Sequence, residues 1–294
     1  ADRVPEHYVR RQSLSNAERF TTERLAELES ALNDAAERIV ELERELFLAL
    51  RAQIAESLEV LLNLAHELAE LDVLQSLAHA ATVRGYVAPR ITEAERLSVT
   101  AGRHPVVEAH LPAGSFVPNG ITLDTGEQFF ALITGPNMAG KSTFLRQTAL
   151  IVLLAQIGSY VPADDAEVGA VDRIFCRVGA SDNLARGEST FLVEMNEAAF
   201  ILRTATSRSL VIMDEIGRGT STNDGMAIAQ AVTEYLAHSI RARTLFATHF
   251  HALTAIEAPG ITNLSLSVAE DGDQVVFLKQ VHEGPSNNSY GIHV

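Results

Sequence analysis

The chain has 294 residues, 47% of them apolar, and it carries a formal net charge of −15. Such an acidic chain is not a general binder of polyanions, although a local basic surface is compatible with this charge. The single cysteine, Cys176, excludes an internal disulfide and a cysteine-built zinc site, which favours a reducing, cytoplasmic setting. No apolar run reaches the length of a membrane span, so we predict no membrane partner.

The first third of the chain is predicted to be helical, because residues 14–84 contain neither Gly nor Pro. Thr22 is suited to cap the first helix, and a break before a second helix is expected near residues 53–57. Two interpretations of the first helix are open: an ordinary helix packed within its own domain, or a long lever that carries motion between distant parts. Its apolar residues recur in a heptad pattern over about four repeats: Leu25, Leu28, Leu32, Ala35, Ile39, Leu42, Leu46 and Ala49.

Strands and helices alternate in the rest of the chain. Residues 87–120 have short apolar runs between Gly and Pro, which predicts short strands and turns. From residue 121 onward, the alternation predicts an α/β domain with a largely parallel core sheet. We therefore divide the chain into a helical region (1–86), a connecting segment (87–120) and an α/β domain (121–294). The predicted strands are 129–134, 174–178, 210–214 and 244–248, and the predicted helices are 141–157, 190–206 and 224–238.

The most informative segment is a glycine-rich stretch between the first strand and the first helix of the α/β domain. Its residues fit the P-loop pattern G-x-x-x-x-G-K-[ST] at every fixed position: Gly135, Pro136, Asn137, Met138, Ala139, Gly140, Lys141 and Ser142. Glycines let backbone N–H groups approach a phosphate closely at the start of a helix. Lys141 would bind the β- and γ-phosphates, and the Ser142 hydroxyl would ligate Mg²⁺. The alternative is a glycine turn with only a structural role.

Other polar side chains follow predicted strands or precede a predicted helix. Asp214 and Glu215 end an apolar strand, which would place Asp214 for Mg²⁺ and Glu215 as a general base, unless both are plain turn residues. His249 ends another strand and is a candidate contact for the γ-phosphate, although a lone histidine is most often structural. Ser189 and Thr190 precede an apolar helix, and they form either a helix cap or a second phosphate-binding helix start.

Four motifs taken together resemble the MutS family of DNA mismatch-repair ATPases. They are TGPNMAGKST at residues 134–143, STFLVEM at 189–195, MDEIGRGTST at 213–222 and FATH at 246–249. Residues 102–108 and 116–119 are similar to the segment that leads into the family's ATPase domain. Residues 8–20 are similar to the return from its DNA clamp into the lever helix, so the likeness covers essentially the whole chain.

The resemblance implies an ABC-type ATPase that uses ATP and Mg²⁺ in two composite sites, each completed across a homodimer. The nucleotide would be held by residues from Gly135 to Thr143, with Asn137 near the γ-phosphate and Phe116 against the adenine. Ser189 would be the signature residue that reaches the partner subunit's γ-phosphate, and His249 would be a switch histidine. Glu215, His249 and Lys141 would form the catalytic set, and the loop of residues 218–224 would couple the two sites.

The family's activity also implies partners for the full-length protein. Nucleotide state would move the lever helices and convert recognition of mismatched double-stranded DNA into a sliding clamp that recruits MutL. The family's mismatch-reading domain, connector and most of the clamp have no counterpart in these residues. We therefore expect the sequence to be part of a longer chain, which acts in the bacterial cytoplasm at the nucleoid.

Other ATPase classes match the motif order less well. A transporter-type ABC ATPase would carry a Leu-Ser-Gly-Gly-Gln-like signature, which this sequence lacks. An SMC-type chromosome protein would place its coiled coil between the two nucleotide motifs, whereas the heptads here precede both. The recombination-suppressing class of MutS proteins is the nearest alternative, and the GRGTST run favours the mismatch-repair class. Intact Lys141, Asp214, Glu215 and His249 argue against a non-catalytic scaffold.

Overall fold

The computed structural model describes residues 4–5, 7–14, 17–179, 190–271 and 274–286. It divides into two compact units, Ala1–Val73 and Leu74–Val294. The domain boundaries drawn above from the sequence stay predictions. None of the helices in the described ranges is both long and apolar enough to cross a membrane.

The first unit begins with an antiparallel hairpin of β1 (Val9–Leu14) and β2 (Ala17–Thr21), followed by helix α1 (Glu23–Glu56). The prediction of helix from residue 14 onward is therefore wrong at its start. The absence of Gly and Pro permits a helix, but Phe20 and Thr21 have side chains that favour a strand, and β1 supplies backbone partners. Thr22 caps α1 as predicted, because its hydroxyl accepts a hydrogen bond from Leu25 N at 3.1 Å.

The first helix ends near the predicted break. Ser57 is the C-terminal cap of α1, and helix α2 (Leu58–Arg84) follows directly. No residue of α1 is buried within the described part of the chain, and Leu32 of the heptad stripe is 75% exposed. The choice between a packed helix and a lever stays a prediction.

The second unit is built on a mixed ten-stranded sheet with the strand order β3-β7-β4-β5-β6-β10-β9-β8, in which β11 also pairs with β6 and with β12. The expectation of a largely parallel sheet is right only for the run β11, β6, β10, β9 and β8 and for the pair β3 and β7. The other pairings are antiparallel. In two of them, β5 with β6 and β11 with β12, a short connection returns the chain at once. The strands are β3 (Arg90–Thr92), β4 (Arg96–Gly102), β5 (Asn119–Asp124), β6 (Gln128–Thr134), β7 (Asp165–Gly169), β8 (Ile174–Val178), β9 (Leu210–Asp214), β10 (Arg243–Ala247), β11 (Gly260–Asp271) and β12 (Gln274–Glu283).

Apolar side chains cover both faces of the parallel run, because successive residues of a strand point to opposite faces. In β6, Ala131 and Ile133 join one core cluster, while Phe130 and Leu132 join the other. Helix α4 contributes Leu145 to the first cluster, and helices α5 and α6 contribute to the second. The helices of this unit after α2 are α3 (Pro105–Ala109), α4 (Lys141–Gln156), α5 (Thr190–Thr204) and α6 (Thr222–Tyr235), the last continued by a π-helical turn (Leu236–Ile240).

A buried arginine connects the start of β10 to the end of β7 and to the residues just before β9. Arg243, at the start of β10, is only 1% exposed. Its guanidinium donates to the backbone carbonyls of Gly169 at 2.7 Å, Ala170 at 3.3 Å and Arg208 at 2.9 Å. Burial lowers its pKa from the usual value. These contacts fix one end of the parallel run and leave the opposite, carboxyl end for ligands.

Candidate nucleotide site

The glycine-rich loop lies at the carboxyl end of β6 and leads into α4. Gly140 is the N-terminal cap of α4 with φ +105°, a left-handed conformation that glycine adopts without strain. Met138 is also left-handed, with φ +65°. Lys141 is 5% exposed, and its ammonium donates to the carbonyls of Gly135 at 2.7 Å and Pro136 at 3.0 Å. The lysine therefore folds back over the loop.

An ion-pair chain extends from this lysine to the loop after β9. Glu215 Oε1 lies 3.7 Å from Lys141 Nζ, and Glu215 Oε2 lies 2.5 Å from Arg218 Nη2. Arg218 Nη2 also donates to Asn137 Oδ1 at 3.5 Å, which ties the chain back to the glycine loop. Burial lowers the pKa of Lys141, while the carboxylates of Glu215 and Asp214 act in the opposite direction.

The backbone of Glu215 is held in an unusual conformation. Its φ is +57°, in the left-handed region that non-glycine residues adopt at a cost of the order of 1–3 kcal/mol. Its N–H donates to the carbonyl of Ala247 at 2.9 Å, at the end of the neighbouring strand β10. Such strained residues cluster at active sites, where the surrounding structure enforces them.

Asp214 and Ser142 line one cavity of about 490 Å³ together with Arg146 and Arg177. Asp214 is 9% exposed, and its Oδ1 has no hydrogen-bond partner among the described residues. A buried oxygen without a partner is costly, and hard cations such as Mg²⁺ prefer oxygen ligands. Ser142 and Asp214 therefore fit a Mg²⁺ ion that takes few of its ligands from the protein. In the described ranges no group of three or more His, Cys, Asp or Glu could hold a metal by itself.

Two further cavities adjoin the glycine loop. One, of about 350 Å³, is lined by the loop itself and by Glu215 and Arg218: Pro136, Asn137, Met138, Gly140, Lys141, Ser142 and Thr143. The other, of about 170 Å³, places Phe116 beside Met138, Gly140 and Thr143. Ala139 is fully buried in the core beneath the loop.

The smaller cavity is also lined by Lys279 of β12, a residue that was not among the predicted site residues. Lys279 has φ +56°, and its carbonyl accepts from Asn119 Nδ2 at 2.9 Å. Asn119 Oδ1 accepts in turn from Val281 N at 2.8 Å. No local motif marks Lys279, since its place in the site depends on the pairing of β12 with β11.

His249 and Ser189 differ from the other predicted site residues. His249 follows β10, is exposed, and lies against Phe250 with ring centroids 4.0 Å apart. Its pKa is lowered, first by partial burial and then by the charge of Arg218. The structure therefore places His249 near the ion-pair chain without a hydrogen bond to it within the described ranges. Ser189 lies outside the described residues.

Helix α5 is linked to the loop after β9 by a contact that was not predicted from the sequence. Glu194 of α5 is 5% exposed, and its Oε1 accepts from Gly217 N at 2.7 Å. Gly217 has φ +90°, and a Cβ there would lie 2.5 Å from the carbonyl oxygen of Gly225. The only available signal was an acidic residue on the apolar side of a predicted helix.

Comparisons with known proteins cover nearly all of these elements. Residues 131–294 match the family model described as MutS domain V, and residues 1–38 match MutS family domain IV. The protein named "DNA mismatch repair protein MutS" of Treponema pallidum subsp. pallidum is 59% identical over 295 residues, covering 99% of this chain and 33% of the relative.

Proteins of the same name from other bacteria are similar over the same length. That of Ruminiclostridium cellulolyticum is 53% identical over 99% of this chain and 34% of the relative, and that of Nitratidesulfovibrio vulgaris is 55% identical over 100% and 33%. The chain thus spans about a third of the length of the curated relatives it matches. Since one family model matches more than half of its residues, the chain belongs to the MutS family.

Proposed function

We propose that the chain is the ATP-binding and ATP-hydrolysing part of a DNA mismatch-repair protein, with a P-loop ATPase domain of the ABC type. The observation that carries the proposal is the convergence of Lys141, Asp214 and Glu215 beside the glycine loop, at the carboxyl ends of the parallel strands β6 and β9 on either side of β10. Its relatives named DNA mismatch repair protein MutS support the biological setting.

In this proposal the glycine loop and the start of α4 bind the phosphates of ATP. Backbone N–H groups and the Lys141 ammonium would donate to phosphate oxygens. Lys141 must first exchange its two backbone carbonyls for those oxygens. The small cavity that contains Phe116 would take the adenine, because an aromatic ring suits stacking on a base.

Ser142 and Asp214 are the residues proposed to hold Mg²⁺, on the strength of the unpartnered buried Oδ1 of Asp214. When bound, Mg²⁺ would neutralise charge on the β- and γ-phosphates. Glu215 would accept the proton of the water that attacks the γ-phosphate, as the P–O bond to ADP breaks. His249 would contact the γ-phosphate; its lowered pKa favours the neutral form, which can accept a hydrogen bond as well as donate one.

We extend the proposal to the full-length protein, in which ATP binding and hydrolysis would control its action on DNA. Two chains would form a homodimer in which Ser189 of each completes the partner's ATP site, and the loop of residues 218–224 would couple the two sites. Nucleotide state would then gate binding to mismatched DNA, movement of the lever helices, formation of a sliding clamp and recruitment of MutL, in the cytoplasm at the nucleoid. The exposed heptad stripe of α1 is compatible with a lever.

The test is ATP hydrolysis by the 294-residue chain as a function of protein concentration, with Lys141→Ala and Ser189→Ala as variants. We expect a specific activity that rises with concentration and is lost in both variants. Activity that persists in Lys141→Ala would refute the proposed site. Activity that is independent of concentration and of Ser189 would refute the composite site while leaving a P-loop ATPase.

A further inference from the structure

Glu194 stands out among the acidic side chains because it is buried and forms no ion pair within the described ranges, although it lines the same cavity as Arg177 and Arg218. Only Glu194 and Asp214 are buried carboxylates among the residues that the structure describes. One oxygen of Glu194 accepts from the backbone N–H of Gly217 at 2.7 Å. A buried carboxylate is expensive unless a hydrogen bond compensates, and bonds to an ionised acceptor are about twice as strong as neutral ones. The proposed roles of Lys141, Asp214 and Glu215 leave this contact unexplained.

The loop that Glu194 contacts is also packed closely against helix α6. A Cβ at Gly217 would lie 2.5 Å from the carbonyl oxygen of Gly225 and 2.8 Å from its Cα, so backbone packs directly on the start of α6. A Cβ at Gly219 would lie 2.8 Å from Cβ of Phe191. Phe191 and Glu194 are three residues apart and therefore share one face of α5. This face of α5 therefore contacts the loop after β9 at two positions, Gly217 and Gly219.

The loop that α5 contacts begins at Glu215, the proposed general base. Glu215 lies two residues before Gly217 and has the left-handed φ of +57°. Its carboxylate must face the glycine loop to act on water near the γ-phosphate, and it now contacts Lys141 and Arg218 there. Catalytic groups need positional accuracy, since small misplacements cost large factors in rate. The contact from Glu194 restrains the backbone two residues beyond Glu215, next to the strained position.

We propose that Glu194 is a positioning residue for hydrolysis, which ties helix α5 to the Gly217 amide and thereby holds Glu215 in its working conformation. The proposal rests on the proposed ATPase function. It also connects α5 to the general base Glu215, because a shift of this helix would move the loop through the same hydrogen bond. Residues 189–195 carry the motif expected to reach the partner's nucleotide. Nucleotide binding at that motif would therefore change the position of Glu215 in the same chain.

The test compares Glu194→Ala, which removes the acceptor, with Glu194→Gln, which retains one side-chain oxygen. Asn196→Ala, on the exposed side of α5, is the matched control. We expect Glu194→Ala to lower kcat by about 10- to 100-fold, the worth of one hydrogen bond to a charged group, with little change in KM. Glu194→Gln should lose clearly less activity than Glu194→Ala, because its neutral amide oxygen can still accept from Gly217 N, and Asn196→Ala should match the native chain. Native kcat in Glu194→Ala, or equal losses in both Glu194 variants, would overturn the proposal.

A second measurement does not depend on hydrolysis. Amide hydrogen exchange of the nucleotide-free chain should be faster at residues 215–219 in Glu194→Ala and native-like in Glu194→Gln. Unchanged protection in Glu194→Ala would overturn the positioning role even in a chain without turnover. If the loop loosens as expected but Lys141→Ala hydrolyses ATP like the native chain, the ATPase assignment fails while the contact stands. Thermal unfolding of each variant separates a loosened loop from a lost fold.

Discussion

Replacing Glu215 with Gln separates two consequences of its carboxylate. Gln has nearly the same size and keeps one acceptor oxygen, but it has neither the charge nor the basicity. If Glu215 accepts the proton of the attacking water, its loss should lower kcat by a factor on the order of 10²–10⁴. That range corresponds to about 3–5 kcal/mol of transition-state stabilisation.

The same change should not weaken ATP binding. The Glu215 carboxylate lies 3.7 Å from the Lys141 ammonium, and the two side chains are only 15% and 5% exposed. Unit charges at about this distance attract by roughly 4 kcal/mol in gross terms at an effective dielectric constant near 20, before desolvation is counted. An ATP phosphate competes with this carboxylate for the ammonium. Glu215→Gln should therefore bind ATP at least as tightly as the native chain.

Steady-state hydrolysis measures kcat, and displacement of a fluorescent ATP analogue measures the Kd for ATP. Glu257→Gln, which changes an exposed carboxylate away from the site, is the control and should match the native chain in both assays. Native turnover in Glu215→Gln would refute the assignment of the base. Lost turnover together with weaker ATP binding would instead mean that Glu215 organises the loop rather than competing for the lysine.

Three other predictions concern stability. Arg243→Met should lower the free energy of unfolding in urea by roughly 2–4 kcal/mol, because three carbonyls lose a buried donor; unchanged stability would show that their bonds only offset the cost of burying the charge. Gly217→Ala should be about 1–3 kcal/mol more destabilising than Gly158→Ala, since both positions are left-handed but only the first would clash, and equal losses would contradict this. Partial burial lowers the pKa of His249, so its protonation does not change stability above about pH 6.5. As the pH falls below this value, the unfolded chain takes up the proton first and the folded state loses stability. His249→Asn should make urea unfolding less sensitive to acid in that range, and an identical pH profile would argue against the lowered pKa.

The parallel core of the sheet could be predicted closely from the sequence. Strands β8 and β9 have the predicted limits. β9 is a run of four apolar residues that ends at Asp214, and β8 is apolar except for Arg177. The glycine motif lies between β6 and α4 as expected. These features depend on residues that are adjacent in the chain, which periodicity and motif spacing can detect.

Features that depend on distant residues were missed or wrong. The antiparallel pairings of the sheet follow from which strands meet, so the expectation of a largely parallel sheet is right only in part. The pairing of β1 with β2 replaces the helix that was expected from residue 14 onward. Composition alone does not tell whether such a segment forms a helix or a strand. Lys279 reaches the site only through the pairing of β12, and Glu194 only through the packing of α5 on the loop.

The state of the site is likewise a property of the fold rather than of the motifs. Motifs name Lys141 and Glu215 as residue types, and their simplest implication is a free ammonium and a free carboxylate that await a nucleotide. In the structure, Lys141 is bound to two carbonyls of its own loop, and Glu215 lies between two cations. Binding of a phosphate would then be an exchange, in which new bonds to Lys141 replace existing ones and the Glu215 carboxylate must change partners before it can accept a proton. A loop held by α5 limits how far Glu215 can move during that exchange, so the rate of hydrolysis should depend on contacts that no nucleotide motif contains.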